Sequence, residues 1–128
     1  MNVLLDTHTF LWFVLDSPDL SQRARYAIED PSVGVFVSVA SLWEMAIKSS
    51  LDKLQLPIPF EQFIPHHIYL NRMRILPIGV VHLQHVHNLP FHHRDPFDRL
   101  LIAQSQVESM PIIGRDATFD RYGIQRIW

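Results

Sequence analysis

Apolar and polar positions alternate along the chain in short blocks, and the lengths of those blocks predict its elements. Residues 2–5 (NVLL) form an apolar run that stops at Asp6, too short for a helix and suited to a buried strand. THTFLWFVLDS then spaces its apolar residues helically, and SPDLSQRARYAIED reads as a second helix closed by Asp30-Pro31. VGVFVSV (33–39) is short and rich in β-branched side chains, which predicts a strand. SLWEMAIKSSLDKL returns to the helical period, with Ser41 placed to cap it and Leu42, Met45 and Ala46 along one side. Pro57, Pro59 and Pro65 break up the segment between helical stretches. FEQFIPHHIYLNRM predicts a helix, MRILPIG a strand, and VVHLQHVHNLP a short helix or loop ended by Pro90. A helix begins at Asp95-Pro96 and carries the apolar stripe of FDRLLIAQSQV. MPIIG (110–114) predicts a strand, RDATFDRYG a short helix closed by Gly123, and IQRIW a last strand.

Short apolar strands alternating with helices predict an α/β fold with a mostly parallel sheet. Length and composition sharpen this only slightly. With 128 residues, 48% of them hydrophobic and 19% charged, the chain is expected to fold as one globular domain over 1–128. It has no cysteine, which excludes disulfides, thiol catalysis and thiolate zinc sites and fits a reducing cytoplasm, the expected location. The N-terminal stretch carries Asp6 and no basic lead, so it reads as folded sequence and not as a signal peptide. No apolar run is long enough for a membrane span. The net charge of -2 does not advertise nucleic-acid binding, so any such function rests on local patches, with arginine (nine of the eleven basic residues) as the phosphate-gripping type.

One feature does not fit a plain core. HHRDPFDRLLIAQS (92–105) sets two histidines, an arginine and two aspartates at the head of an apolar helix. The same oddity recurs: Asp6 follows a strand, Glu44 lies at the start of the helix after VFVSV, and Asp116 follows PIIG. In a parallel sheet these places share one edge, the edge at which ligands bind. Singly, each acid is a good helix start. Ser41 and Glu44 make the S-x-x-E capping box, Glu44 pairs with Lys48 one turn on, and Asp95-Pro96 is a strong N-terminal signal. Together, four carboxylates repel, by about 1 kcal/mol per pair at 4 Å in water and about 4 at an effective dielectric of 20. Capping gives no reason to gather them. A hard divalent cation such as Mg2+ or Mn2+ does, since it prefers carboxylate oxygen.

The blocks LLDTHTFLW, SVASLWEMAIK, LPFHHRDPFDRLLIAQS and PIIGRDATFDRYGIQRIW, in this order and spacing, resemble PIN-domain ribonucleases, and most closely the VapC-type toxins of toxin–antitoxin pairs. The resemblance covers essentially the whole chain. It implies a PIN-like three-layer α/β/α sandwich around a mostly parallel central sheet. It also implies Mg2+- or Mn2+-dependent cleavage of RNA, a cognate antitoxin protein and a homodimer. Carried across by position, the four catalytic and metal-holding acids are Asp6, Glu44, Asp98 and Asp116. Asp95, one turn before Asp98, is an outer ligand or simply the cap. Gly114 departs from the pattern, because the family often has threonine or serine there and a supporting hydroxyl is then missing beside Asp116. The chemistry implied is metal-assisted phosphodiester hydrolysis.

Around these acids, Arg99, Arg115 and Lys48 are candidates for phosphate contacts, although solvated surface is the commoner role for any one of them. Thr7 and Ser38 are candidates to support the carboxylates by hydrogen bonding, and His93 to lie in the outer shell or touch substrate. The remaining histidines of the cluster 82–93 match no compact ligand motif. Phe10, Leu11, Phe13 and Val14 are expected in the core, as are Trp12 and Trp43, with base stacking as the alternative for the two tryptophans. Competing readings are a housekeeping RNA-processing nuclease and a non-catalytic RNA- or protein-binding module. An aspartate-nucleophile phosphatase fits poorly, because it usually needs a second acid two residues after the first, where this chain has His8.

Overall fold

The computed structural model describes residues 1–128. Five parallel strands, β1 (Asn2–Leu5), β2 (Gly34–Ser38), β3 (Arg74–Leu76), β4 (Ile112–Ile113) and β5 (Arg126–Ile127), form one sheet in the order β3-β2-β1-β4-β5. Between them lie α1 (Thr7–Val14), α2 (Gln22–Glu29), α3 (Val39–Ser50), α4 (Phe60–Leu70), α5 (Val80–His87), α6 (Pro96–Glu108) and a 3-10 turn (Ala117–Tyr122).

The two-residue period of the strands sorts the core into two halves. Val3, Leu5, Val35, Val37 and Ile113 face a cluster that takes Phe10 and Leu11 from α1, Ala24 and Ile28 from α2, Met45 from α3 and Phe63 from α4. Leu4, Leu76 and Ile112 face the other way, onto Leu100 to Ala103 of α6 and onto Phe119 and Tyr122. Helices therefore cover both faces, giving the expected α/β/α sandwich, and Phe13 and Val14 pack at the edge of the first cluster.

Three readings need correction. The helix after β2 begins at Val39, directly where the strand stops, so its N-cap is Ser38, whose hydroxyl accepts the Ala40 N–H at 3.0 Å. Ser41 falls inside the first turn, no capping box forms, and Glu44 lies one turn further in than expected. Pro65 does not break the chain but sits within α4. Trp43 is not core: it is 56% exposed, held edge-on against Phe97 at a ring separation of 5.0 Å. Trp12 is half-buried against the first cluster. No helix is long and apolar enough to cross a membrane.

The strand order decides where a site can form. From the central β1 the chain builds β2 and β3 on one side, then crosses to place β4 and β5 on the other. The ends of β1 and β4 thus flank the point at which winding reverses, the usual crevice for a ligand in such sheets.

Candidate active site

β1 and β4 run in register, Leu4 beside Ile112 and Leu5 beside Ile113, and the Asp6 N–H continues the ladder to the Ile113 carbonyl at 3.0 Å. The two chains leave the sheet side by side, which brings Asp6 next to the segment Gly114-Arg115-Asp116. Gly114 lies close against this acid: a Cβ there would be 3.1 Å from the Asp6 Cβ and 3.3 Å from the Phe119 ring, so a larger residue would require its neighbours to shift slightly.

Three of the acids are oriented by capping. Asp6 Oδ1 accepts the Thr7 N–H at 2.8 Å, and Asp116 Oδ1 accepts the Thr118 N–H at 2.9 Å. Asp95 Oδ1 accepts from Phe97 and Asp98 at 2.8 and 3.1 Å, as an N-cap followed by proline at N1 should. In Asp6 and Asp116 one oxygen serves the helix end, while the other is left to face its neighbours. Capping and a shared site therefore coexist in the same side chain.

Glu44 reaches the group from α3. The Thr7 hydroxyl donates to Ser41 Oγ at 2.9 Å, tying the heads of α1 and α3 together. Glu44 stands three residues beyond Ser41, on the same helical face. It is 6% exposed, and Lys48 Nζ donates to its Oε2 at 2.8 Å. That hydrogen bond raises the Lys48 pKa above its ordinary value and keeps the ammonium charged.

The electrostatics report the convergence of all four acids. Burial, and then the charges of Asp6, Asp95, Glu44 and Asp116, push Asp98 up to about 8. Asp6 is raised to about 6, chiefly by burial and further by Glu44 and Asp116, against the opposing pull of His8 and the Thr7 N–H. Asp116 goes the other way. Burial raises its pKa, but hydrogen bonds from Thr118 and His93 outweigh that and leave it below the ordinary carboxylate value. His93 Nε2 lies 3.0 Å from Asp98 Oδ2 and 2.9 Å from Asp116 Oδ2.

Several expected roles move elsewhere. Arg99 is turned into the protein at 5% exposure, where Nη1 donates to the carbonyls of Pro90 (2.8 Å) and His93 (3.4 Å) and Nη2 to those of Val86 (3.3 Å) and Leu89 (3.2 Å). A guanidinium spent on four carbonyls is a clamp on the 86–93 segment and not a phosphate contact. Ser38 supports no carboxylate: besides its cap it donates to Gln104 Oε1 at 2.5 Å. Thr7 supports Asp6 through its backbone N–H, its hydroxyl being taken by Ser41. Arg115 is exposed and lies over the Trp12 ring at 4.7 Å. Thr118 and Tyr122 were missed. Their positions two and six residues after Asp116 carry a signal only for the first, as the N–H that a capping aspartate takes. The histidines also disperse: His82 is buried against Glu108 at 3.0 Å and His85 contacts Gln106, while His93 stands with the acids.

As a donor set, this group fits a hard divalent cation. Burial first, and then the charges of the neighbouring acids, raise Asp6 and Asp98, a penalty that a +2 charge removes.

A family model described as the PIN domain matches residues 3–125. Among solved structures, the chain is similar to VapBC2 from Rickettsia felis bound to a DNA fragment from their promoter (15% identity, TM-score 0.71, covering 98% of this chain and 97% of that one). It is also similar to FitAcB from Neisseria gonorrhoeae (18%, TM-score 0.63, 98% and 96%) and to FitAB bound to an IR36 DNA fragment (21%, TM-score 0.58, 98% and 93%). At these identities the likeness is one of fold. No curated protein matches the chain.

Proposed function

The chain belongs to the PIN-domain family, whose members are generally nucleases, and from that premise we propose that it is a Mg2+- or Mn2+-dependent RNA endonuclease, the toxin of a toxin–antitoxin pair. The observation that carries the reading is the gathering of acids around Asp98, whose carboxyl is pushed up first by burial and then by the charges of Asp6, Asp95, Glu44 and Asp116, with Asp116 and His93 in contact range. Natural sequences remove such repulsion unless a bound charge makes use of it.

In this reading Asp6, Glu44, Asp98 and Asp116 hold the cation. When bound, the cation would activate water and offset the negative charge that grows on the scissile phosphate and its leaving oxygen. The chain's own residues do the rest. Oδ1 of Asp6 and of Asp116 keeps each carboxylate aimed through its cap. Lys48 sets Glu44 and leaves a positive charge beside the acids. The exposed Arg115, stacked on Trp12, offers a guanidinium to a phosphate, and the open ring of Trp43 beside Glu44 offers a face to a base. Asp95 is a cap in this reading and Arg99 a clamp, so neither touches substrate.

The partners follow the same reasoning. The structural relatives are described as VapBC2, FitAcB and FitAB, the first and last bound to DNA fragments, which supports a cognate antitoxin here, and the family resemblance supports a homodimer. Asp6→Asn and Glu44→Gln are expected to leave a folded chain that no longer cleaves a single-stranded RNA when Mn2+ is added. Normal cleavage by either variant removes that residue from the site. Growth arrest on expression, relieved by the product of a neighbouring small gene, separates a toxin from a housekeeping nuclease.

A further inference from the structure

One imidazole nitrogen and two carboxylate oxygens, from His93, Asp98 and Asp116, lie within 4.8 Å of one another, the arrangement of a mixed histidine–aspartate metal site. The other ring nitrogen contradicts that assignment. His93 Nδ1 accepts the Asp95 backbone N–H at 3.2 Å, so its lone pair is engaged and the proton of the neutral ring belongs on Nε2. To ligate through Nε2 the ring would have to move that proton to Nδ1, where it would meet the Asp95 N–H, donor against donor. Metal-bound histidines hand their second N–H to an acceptor, and here a donor occupies that place.

The ring has little freedom to escape this arrangement. It stacks on Phe119 at 6.0 Å and 26°, the His93 N–H donates to Tyr122 Oη at 2.8 Å, and Tyr122 in turn donates to the Pro90 carbonyl. Arg99 holds the carbonyls of Pro90 and His93 from below. The 86–93 segment thus holds the ring so that Nε2–H meets the Asp116 carboxylate, with Asp98 Oδ2 of α6 3.0 Å away.

We propose that His93 is a positioning residue: its Nε2–H holds the Asp116 carboxylate in place for the cation, beside Asp98 Oδ2 at 3.0 Å, and the ring itself is not a ligand. This rests on the reading above that those acids bind a divalent cation, and its test separates the two.

In the metal-free protein, a long-range proton–nitrogen spectrum of the histidine rings should show His93 protonated on Nε2 and bare on Nδ1. In protein loaded with Mn2+, pulsed EPR should show no directly coordinated nitrogen. His93→Ala should weaken Mn2+ affinity about 10- to 100-fold. His93→Gln, whose side-chain amide donates at the same reach, should restore most of that loss. A nitrogen coupling of a coordinated imidazole, a proton on Nδ1, or a glutamine variant as weak as the alanine one each overturns the proposal. Mn2+ binding with a coordinated nitrogen leaves the cation site standing and removes only the role given to His93. Absence of any Mn2+ uptake by the parent protein removes both. Should His93→Ala fail to fold, the glutamine variant and the spectra of the parent protein still decide.

Discussion

At Asp98, burial and the surrounding acids act in the same direction, and the consequence for stability has an unusual sign. The ordinary value of 3.8 rises to about 8 in the fold, so between about pH 4 and 8 the folded protein keeps a proton that the unfolded chain has lost. The contribution of this one carboxyl to stability is fully present below pH 4, falls as pH rises through that window, and levels off above it. Asp6 adds a smaller decline of the same sign up to about pH 6. Removing the charge should reverse this. Asp98→Asn is expected to be more stable than the parent at pH 8 in chelator, by about 1–3 kcal/mol, with little difference at pH 4. Urea unfolding at the two pH values checks it, and equal stability at pH 8 contradicts the repulsion inferred for this carboxyl. The same variant should lose cation binding, so the residue that weakens the fold is the one the proposed function requires.

Among the elements, α6 does most to build the site, and its head was partly legible in the sequence. Asp95-Pro96-x-Asp98 announces an N-cap, a proline at N1 and an acid in the first turn, and the helix starts there. Arg99, next in sequence, is neither a phosphate contact nor solvated surface, because adjacency says nothing about direction: one residue along a helix is a turn of about 100°, enough to move a side chain from the site to the core. Its four carbonyl bonds make a sharp contrast with Arg115. Arg99→Lys, which keeps the charge but cannot span four acceptors, is expected to lower unfolding stability by about 2–4 kcal/mol. Arg115→Ala should change it by less than about 0.5 kcal/mol. Denaturant melts of the two variants test this, and a lysine variant as stable as the parent would falsify the clamp. Ser38 and Ser41 show a similar limit in α3. Both are cap-forming residues near a strand end, and only the exact point at which β2 stops pairing decides which of them caps.

For the molecule as a whole, two apolar core clusters on opposite faces of the sheet supply the burial that holds the fold, so it is expected to survive loss of a cation. Chelation with EDTA is expected to abolish RNA cleavage while leaving the far-ultraviolet circular dichroism spectrum unchanged. Collapse of that spectrum on chelation would assign the metal a structural role instead.

The block pattern alone determined the α/β class and the placing of Asp6, Asp98 and Asp116 at strand ends and helix starts. These are local properties, set by a period of two or of 3.6 residues and by which side chains satisfy a free N–H. Tertiary structure decided what each acid faces. The in-register exit of β1 and β4 beside Gly114, the Thr7–Ser41 bond across 34 residues and the His93 bridge to Asp116 across 23 join segments whose separation leaves no periodic trace. Such contacts form only when the whole sheet is assembled, because the free energy that holds them comes from the core and not from the segments they connect.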